Sequence, residues 1–591
     1  MRVLLSSPRL LISFAFAASL GACGAGESGS GGSTTSTGTG GAGGDTTTTP
    51  IVPACVRPTE WTPPPACGSF DYAWKSLLAD PKSPDFDADL EKKALRIDRQ
   101  YHALNAFGTG INADATVPVD ATDARAKIEA FLTQGDGWDF EAYSGVAVKD
   151  VIAGWGQSPG AYGGPGAAAD AFRYGTLRDQ GAYCADVEVA KQHVLADLDA
   201  LHIATAITGT PGVIARGIAR KDLAGDGQSE VTPLFDAMGN PLPPEKNNGT
   251  WRADNSGGLF PDYIWIDSCS RDMLVGWAVG YAAIWEVIRL DPAFPADLKA
   301  RIQSDAEAIV RSLMKVGDKG YDLEIHDADG RLTLFAYLNE NAIDTGYLKG
   351  ASNGSLALMA LGIVGGFAYV AEKPDIDQYL YGQLVAERGL GELAKTNAIG
   401  LSLGTKSNYS NYNMAFDSAW LAGRYLCDES ARVTIREAES TAIYERPGED
   451  RQPVEQGQTF YDFVHVATSG AATTESPMTS VDEPAVSRGL ETLVEFADAP
   501  LWEDPRQNCD QAEIDSALCV AEDGTTLHLL GYVGRNGTLV SEEPVPMRTR
   551  PFSNYFWRTD PYLVNGDSDG SRLLPAADFR VAYWLGRWVR R

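Results

Sequence analysis

Acidic and basic groups crowd the start of one apolar stretch. Trp265-Ile266-Asp267-Ser268-Cys269-Ser270-Arg271-Asp272 leads into a run to Ile288 that carries one further charge, Glu286. Two carboxylates beside an arginine are groups that glycoside hydrolysis can use. One carboxyl protonates the leaving oxygen, and the other activates water or attacks the sugar. A third acid, Asp417, stands alone in the apolar "NMAFDSAWLAGRYLC" (413–427), where a buried carboxyl needs a partner or a raised pKa. Asp272 and Asp417 are the expected acid/base pair, with Asp267 in reserve. Arg216, a lone cation in "GVIARGI" (212–218), and Arg271 are expected to orient substrate. Trp265, Tyr409, Tyr412 and Asn413 supply the rings and amides that stack on sugars and bond their hydroxyls.

Plain structural roles are open to the same residues. Asp267, Ser268 or Ser270 can cap the helix that follows, and Asp272 in its first turn suits the helix dipole. Asp267 can pair with Arg271 four residues on, and Arg216 with Asp272. Other chemistries find less support. No CxxC or HExxH spacing occurs, and His102, His193, His202, His326 and His465 are scattered, so neither a metal site nor a cofactor is expected. Asn565-x-Asp567-x-Asp569-Gly570 begins like a calcium loop, but Ala576 occupies the twelfth place where glutamate is needed, which leaves a turn.

The ends and the charge bear on location. Arg2 and Arg9 flank the start of an apolar run from Leu10 to Leu20, too short to span a bilayer stably. It ends in Leu20-Gly21-Ala22-Cys23, which resembles the lipobox of bacterial lipoproteins. That resemblance implies a signal peptide over 1–22, lipid on Cys23, and a membrane contact through that lipid only, with the membrane face left open. Residues 23–54 are Gly/Ser/Thr-rich and read as a flexible tether. Seven cysteines remain, and an exported chain permits disulfides. Cys55 with Cys67, and Cys509 with Cys519, each close a short loop and are the expected pairs; among Cys184, Cys269 and Cys427 at most one pair can form, and the apolar contexts of Cys269 and Cys427 also suit plain buried thiols. The formal net charge is −30. A field of that sign argues against nucleic acid, and against a polyanionic substrate unless a basic patch exists locally.

The elements that must position these groups are mostly helical. Residues 270–289 are apolar nearly all round, the mark of a buried helix, and Gly276 and Gly280 permit a close neighbour. Leu298, Ile302, Ala306, Ile309 and Leu313 then form one stripe on an amphipathic partner. The same pairing recurs at 353–372 with 375–395, and at 411–427 with 429–445. Further helices are expected at 88–107, 186–207 and 576–590. A β-hairpin is expected over 321–338, turning at Asp329-Gly330. "GWGQSPGAYGGPG" (154–166) reads as a long loop. Inner/outer hairpins without a sequence repeat predict an all-α fold, an (α/α) toroid with long loops and small β-hairpins at its rim.

"TGTPGVIARGIAR" (208–220), "SRDMLVGWAVGYAAIWEVI" (270–288), "DADGRLTLF" (327–335), "NGSLALMAL" (353–361) and "AADFRVAYWLGRW" (576–588) together resemble the six-hairpin glycosidase-like (α/α)6 superfamily, in an exported bacterial branch. The resemblance spans 186–591; residues 55–185 are either the first hairpins or a small cap. It implies a carbohydrate ligand and glycoside hydrolysis. A polysaccharide lyase, and a non-catalytic glycan-binding or envelope scaffold protein, remain the alternatives.

Overall fold

The protein was analysed as a computed structural model that describes residues 55–591 except 226, 228–230 and 401. The expected signal peptide, the lipidated Cys23 and the tether therefore lie outside the described residues. The described residues form one compact unit.

The body is mostly helical, with strands confined to small sheets. Its larger helices are α1 (Ala88–Gln100), α2 (Thr122–Gln134), α3 (Gly160–Asp179), α4 (Cys184–Ala206), α5 (Arg271–Ile288), α6 (Ala296–Leu313), α7 (Gly354–Ala371), α8 (Tyr409–Tyr425), α9 (Glu429–Ala438), α10 (Thr459–Ser469), α11 (Glu483–Glu495) and α12 (Ala577–Trp588). Six of them, α3, α5, α7, α8, α10 and α12, are buried along most of their length. They touch in chain order, and α12 returns to pack on α3. The amphipathic α1, α6, α9 and α11, and the one-sidedly buried α4, lie outside them, each against a buried neighbour. On α6 the buried residues are Ile302, Ala306, Ile309, Val310 and Leu313, four of them from the expected stripe, while Leu298 is only partly buried and Val310 joins them. Helix α7 is long and apolar enough to cross a membrane, but it is wholly buried in the body, where neighbouring helices take lipid's place.

The largest departure from expectation is α3. Four glycines and a proline in 160–166 argue against a helix on propensity, and that stretch reads as loop. It is instead the first two turns of a buried helix, because the glycines serve packing. A Cβ at Gly280 would lie 2.9 Å from the Gly164 carbonyl oxygen, and one at Gly164 would overlap the Gly276 carbonyl. The two backbones meet directly, which only glycine allows. Helices α2, α10 and α11 likewise escaped the periodicity reading.

Strands β1 (Ser158–Pro159), β2 (Gly217–Arg220), β3 (Trp251–Ala253) and β4 (Tyr263–Ile266) make an antiparallel sheet in the order β1-β2-β4-β3. The expected hairpin is present as β5 (Glu324–His326) and β6 (Leu332–Tyr337).

Three disulfides join Cys55 to Cys427, Cys67 to Cys184 and Cys509 to Cys519, and such bonds fit an oxidising compartment. The last pair is as expected. Cys55 and Cys67 do not bond each other, and Cys427 is not a free thiol. The chain between Cys55 and Leu78 runs across the body, with Gly68 N–H donating to Ala182 O and Leu77 N–H to Val589 O, so each cysteine meets a partner distant in sequence. Cys269 is the free, buried thiol among the described residues.

The Gly164–Gly276 contact sets a test. Gly164→Ala should lower stability by about 3 kcal/mol or prevent folding, because the methyl meets backbone that cannot yield. Gly163→Ala, whose Cβ would meet the Ile111 side chain at 3.3 Å, should cost about 1 kcal/mol or less. Thermal melts of the two variants compare them; equal melting temperatures would contradict the packing role.

Candidate functional site

Antiparallel pairing of β2 with β4 brings two distant segments together. Gly217 sits opposite Ile266, and Arg216 N–H donates to Ile266 O at 2.9 Å. Arg216 therefore emerges beside the residues that leave β4 and enter α5. One of its Nη atoms donates to Ser270 Oγ at 2.7 Å and points at Ser268 O at 3.4 Å. The Ser270 hydroxyl in turn donates to Asp272 Oδ1. Ser270 occupies the cap position of α5, yet its side chain caps nothing, since its hydroxyl is committed to that carboxylate. The expected meeting of Arg216 and Asp272 thus takes place through Ser270.

The other oxygen of Asp272 faces Arg558 Nη2 at 3.4 Å. Arg558 ends a short turn, Phe556–Arg558, and also donates to Ser410 Oγ at 3.0 and 3.1 Å and to the Tyr162 hydroxyl at 2.7 Å. One guanidinium so joins α3, α5 and α8.

These groups border a cavity of about 740 Å³ built on the N-terminal ends of α5, α7 and α8. Its polar lining is rich in amides and hydroxyls: Asn248, Asn353, Asn397, Asn408 and Asn411, with Ser270, Ser352, Ser355 and Ser410. Phe335 is its one aromatic ring, and no Tyr or His is among its described lining residues. Among the described residues two carboxylates line it, Asp272 and Asp344, and five cations, Arg216, Arg271, Lys406, Arg535 and Arg558. Arg271 is paired with Asp344 at 2.7 Å, not with Asp267.

The remaining expected residues stand in the walls. Asp267 is 1% exposed. It accepts from Arg252 Nε at 2.9 Å and from Thr250 N–H at 2.8 Å, and lies 3.3 Å from Lys246, an arrangement that braces β3 against β4. Trp265 is fully buried and donates to Ala253 O. On α8, Ser410 and Met414 share the face that lines the cavity, while Asn413 and Asp417 share the next face and bond each other at 2.8 Å. Tyr409 and Tyr412 stack with ring centres 5.1 Å apart and are buried. Residue type marked these as sugar contacts, but the helical phase turns them inward. Conversely Asp344, Lys406, Arg535 and Arg558 went unread, because they lie in turns far apart in sequence and no periodicity links them.

Asp417 is 1% exposed, with one oxygen unpartnered. Burial pushes its carboxyl up to about 8, against the opposing pull of Arg558 and the Asn413 bond. It is thus a neutral acid near pH 7, behind the cavity wall.

Two other places can be weighed as sites. A second cavity of about 320 Å³ lies at the C-terminal ends of the buried helices. There Glu286 accepts from the Tyr425 hydroxyl at 2.9 Å and from Trp588 Nε1 at 2.8 Å and pairs with Arg424. Ligating atoms of His102, Asp170 and His193 lie within 4.8 Å of one another. However, Arg580 Nη2 stands 3.1 Å from His102 Nε2 and 2.6 Å from Asp170, and Arg173 Nη1 stands 3.1 Å from His193. Burial, with these guanidiniums contributing, holds both imidazoles well below their usual range. A divalent ion would meet two resident cations there, so the donor set fits a metal poorly.

Searches against protein-family models and against curated proteins find no match to the chain. Functional reading therefore rests on the site's own chemistry.

Asp417 yields a pH prediction. Its raised pKa means that the folded state keeps a proton which the unfolded chain releases above about 4. The stability this provides is complete at low pH and is lost as pH rises toward 8, by up to about 5 kcal/mol. Asp417→Asn cannot titrate, so its stability relative to the parent should climb between pH 4 and pH 8. Urea denaturation at several pH values measures this; parallel curves would refute it.

Proposed function

We propose that this protein is an exported, lipid-anchored carbohydrate-active protein, and that its buried and outer helices make an (α/α) toroid with the ligand cavity at one rim. The ring reading is supported by the packing order, in which α12 meets α3 after five successive neighbours. Amides, hydroxyls and charged groups around one large opening suit a polyhydroxy ligand, because each can bond to sugar hydroxyls.

The reaction proposed is glycoside hydrolysis with Asp272 as the essential carboxylate. One observation carries this: of the three acids expected from sequence, Asp272 alone opens on the cavity, oriented by Ser270 and Arg558. Asp344 is the other cavity carboxylate and takes the place of Asp417 as its partner. Arg216 and Arg271 remain the substrate-orienting cations. Lyase chemistry loses ground, since it requires a Tyr or His base and none is among the described lining residues.

A non-catalytic glycan-binding or envelope scaffold role is the second reading. It is favoured by the pairing of both cavity carboxylates, Asp344 with Arg271 and Asp272 with Arg558.

Asp272→Asn should reduce glycan turnover by about 10²-fold or more while the melting temperature and far-ultraviolet circular dichroism stay near those of the parent. Product analysis after incubation with a glycan library supplies the assay. Full activity in a folded Asp272→Asn variant would eliminate the hydrolytic assignment. Glycan binding without products from the parent protein would select the second reading.

A further inference from the structure

The formal net charge of −30 repels anions at a distance, but the cavity has the opposite sign. Five cations face two carboxylates there. Arg271 is taken by Asp344, and Arg558 by Asp272. Among the described residues the other three have neutral partners only. Arg216 donates to Ser270 Oγ and Ser268 O, Lys406 to Gly534 O at 2.7 Å, and Arg535 to Asn408 Oδ1 at 2.7 Å.

Their placement adds to the argument. Lys406 and Arg535 stand on two adjoining turns, the side chain of Thr405 on the first donating to Val533 O beside the second at 2.9 Å. Two like charges therefore stand at one rim, each with a neutral partner, where an incoming anion can meet both. Arg216 is half-buried beside Asp272, which it reaches through Ser270. The N-terminal ends of α5, α7 and α8 add partial positive charge to the same space.

We propose that the cavity's glycan is acidic, carrying carboxylate or sulfate groups at more than one position along the chain. Arg216 receives the charged group next to Asp272, and the Lys406–Arg535 pair receives one at the rim. The inference rests on the reading of this cavity as a glycan site, and it specifies the substrate class. Guanidinium forks suit both carboxylate and sulfate oxygens, so those two sources share one chemistry.

The test is equilibrium binding of one oligosaccharide in three forms: uronate, its methyl ester, and a sulfated derivative. At low salt the parent protein should bind the uronate or the sulfated form at least about tenfold more tightly than the ester, and this preference should shrink as salt screens the charges. Which of the two binds better identifies the anionic group. In Arg216→Gln, and in the exposed-site double variant Lys406→Gln/Arg535→Gln, the preference for the charged form over the ester should fall by about threefold or more each. The exposed double variant keeps the test valid if Arg216→Gln fails to fold. Equal binding of ester and charged forms overturns the inference and leaves the glycan reading standing. Absence of binding by all three forms overturns the glycan reading and the inference with it.

Discussion

The backbone contact between α3 and α5 is the constraint on which the site depends. Gly160 and Gly164 on one helix meet Gly276 and Gly280 on the other, at distances that no side chain could occupy. A seam of this kind leaves little freedom to slide, because carbonyl oxygens and Cα atoms, not flexible side chains, are in contact. It sets where α5 begins relative to α3, and therefore where Ser270 and Asp272 stand relative to Tyr162. Arg558 then spans the resulting gap, reaching Tyr162, Asp272 and Ser410 at once.

Electrostatics divides the same residues into two populations. Charges needed for architecture are paired inside the walls, as Asp267 is with Arg252 and Lys246 and Asp98 and Asp170 are with Arg580. Breaking such pairs leaves an uncompensated buried charge, so they resist change. Around the cavity the balance differs: Arg216, Lys406 and Arg535 are held by hydroxyl, amide and carbonyl oxygens. A neutral partner orients a cation without cancelling its charge. The low-dielectric walls beneath strengthen what that charge offers an incoming anion.

Much of the helical framework was legible from periodicity, and the reason is local. The α6 stripe, the all-round apolarity of α5 and α7, and the turn at Asp329-Gly330 each express an environment that repeats along consecutive residues. The failures were non-local. The glycine-rich start of α3 looks like a loop until Gly276 is opposite it, and Cys55 looks like a partner for Cys67 until Cys427 is beside it. On α8, composition nominated Tyr409, Asn411, Tyr412, Asn413 and Asp417, while a rotation of about 100° per residue turned only Asn411 of these to the opening, with Ser410 and Met414 beside it.

What the sequence determined by itself was four of the six buried helices (α5, α7, α8 and α12), the scarcity of strand, and the concentration of charge at the head of α5, since these follow from residue type and spacing along one segment. Only the tertiary structure decided which charges meet. Arg216 reaches Asp272 through Ser270 because β2 pairs with β4 in one register, and Arg558 reaches Asp272 from 286 positions further along the chain. Contacts of that range depend on how separate elements pack. No pattern within a single element encodes them.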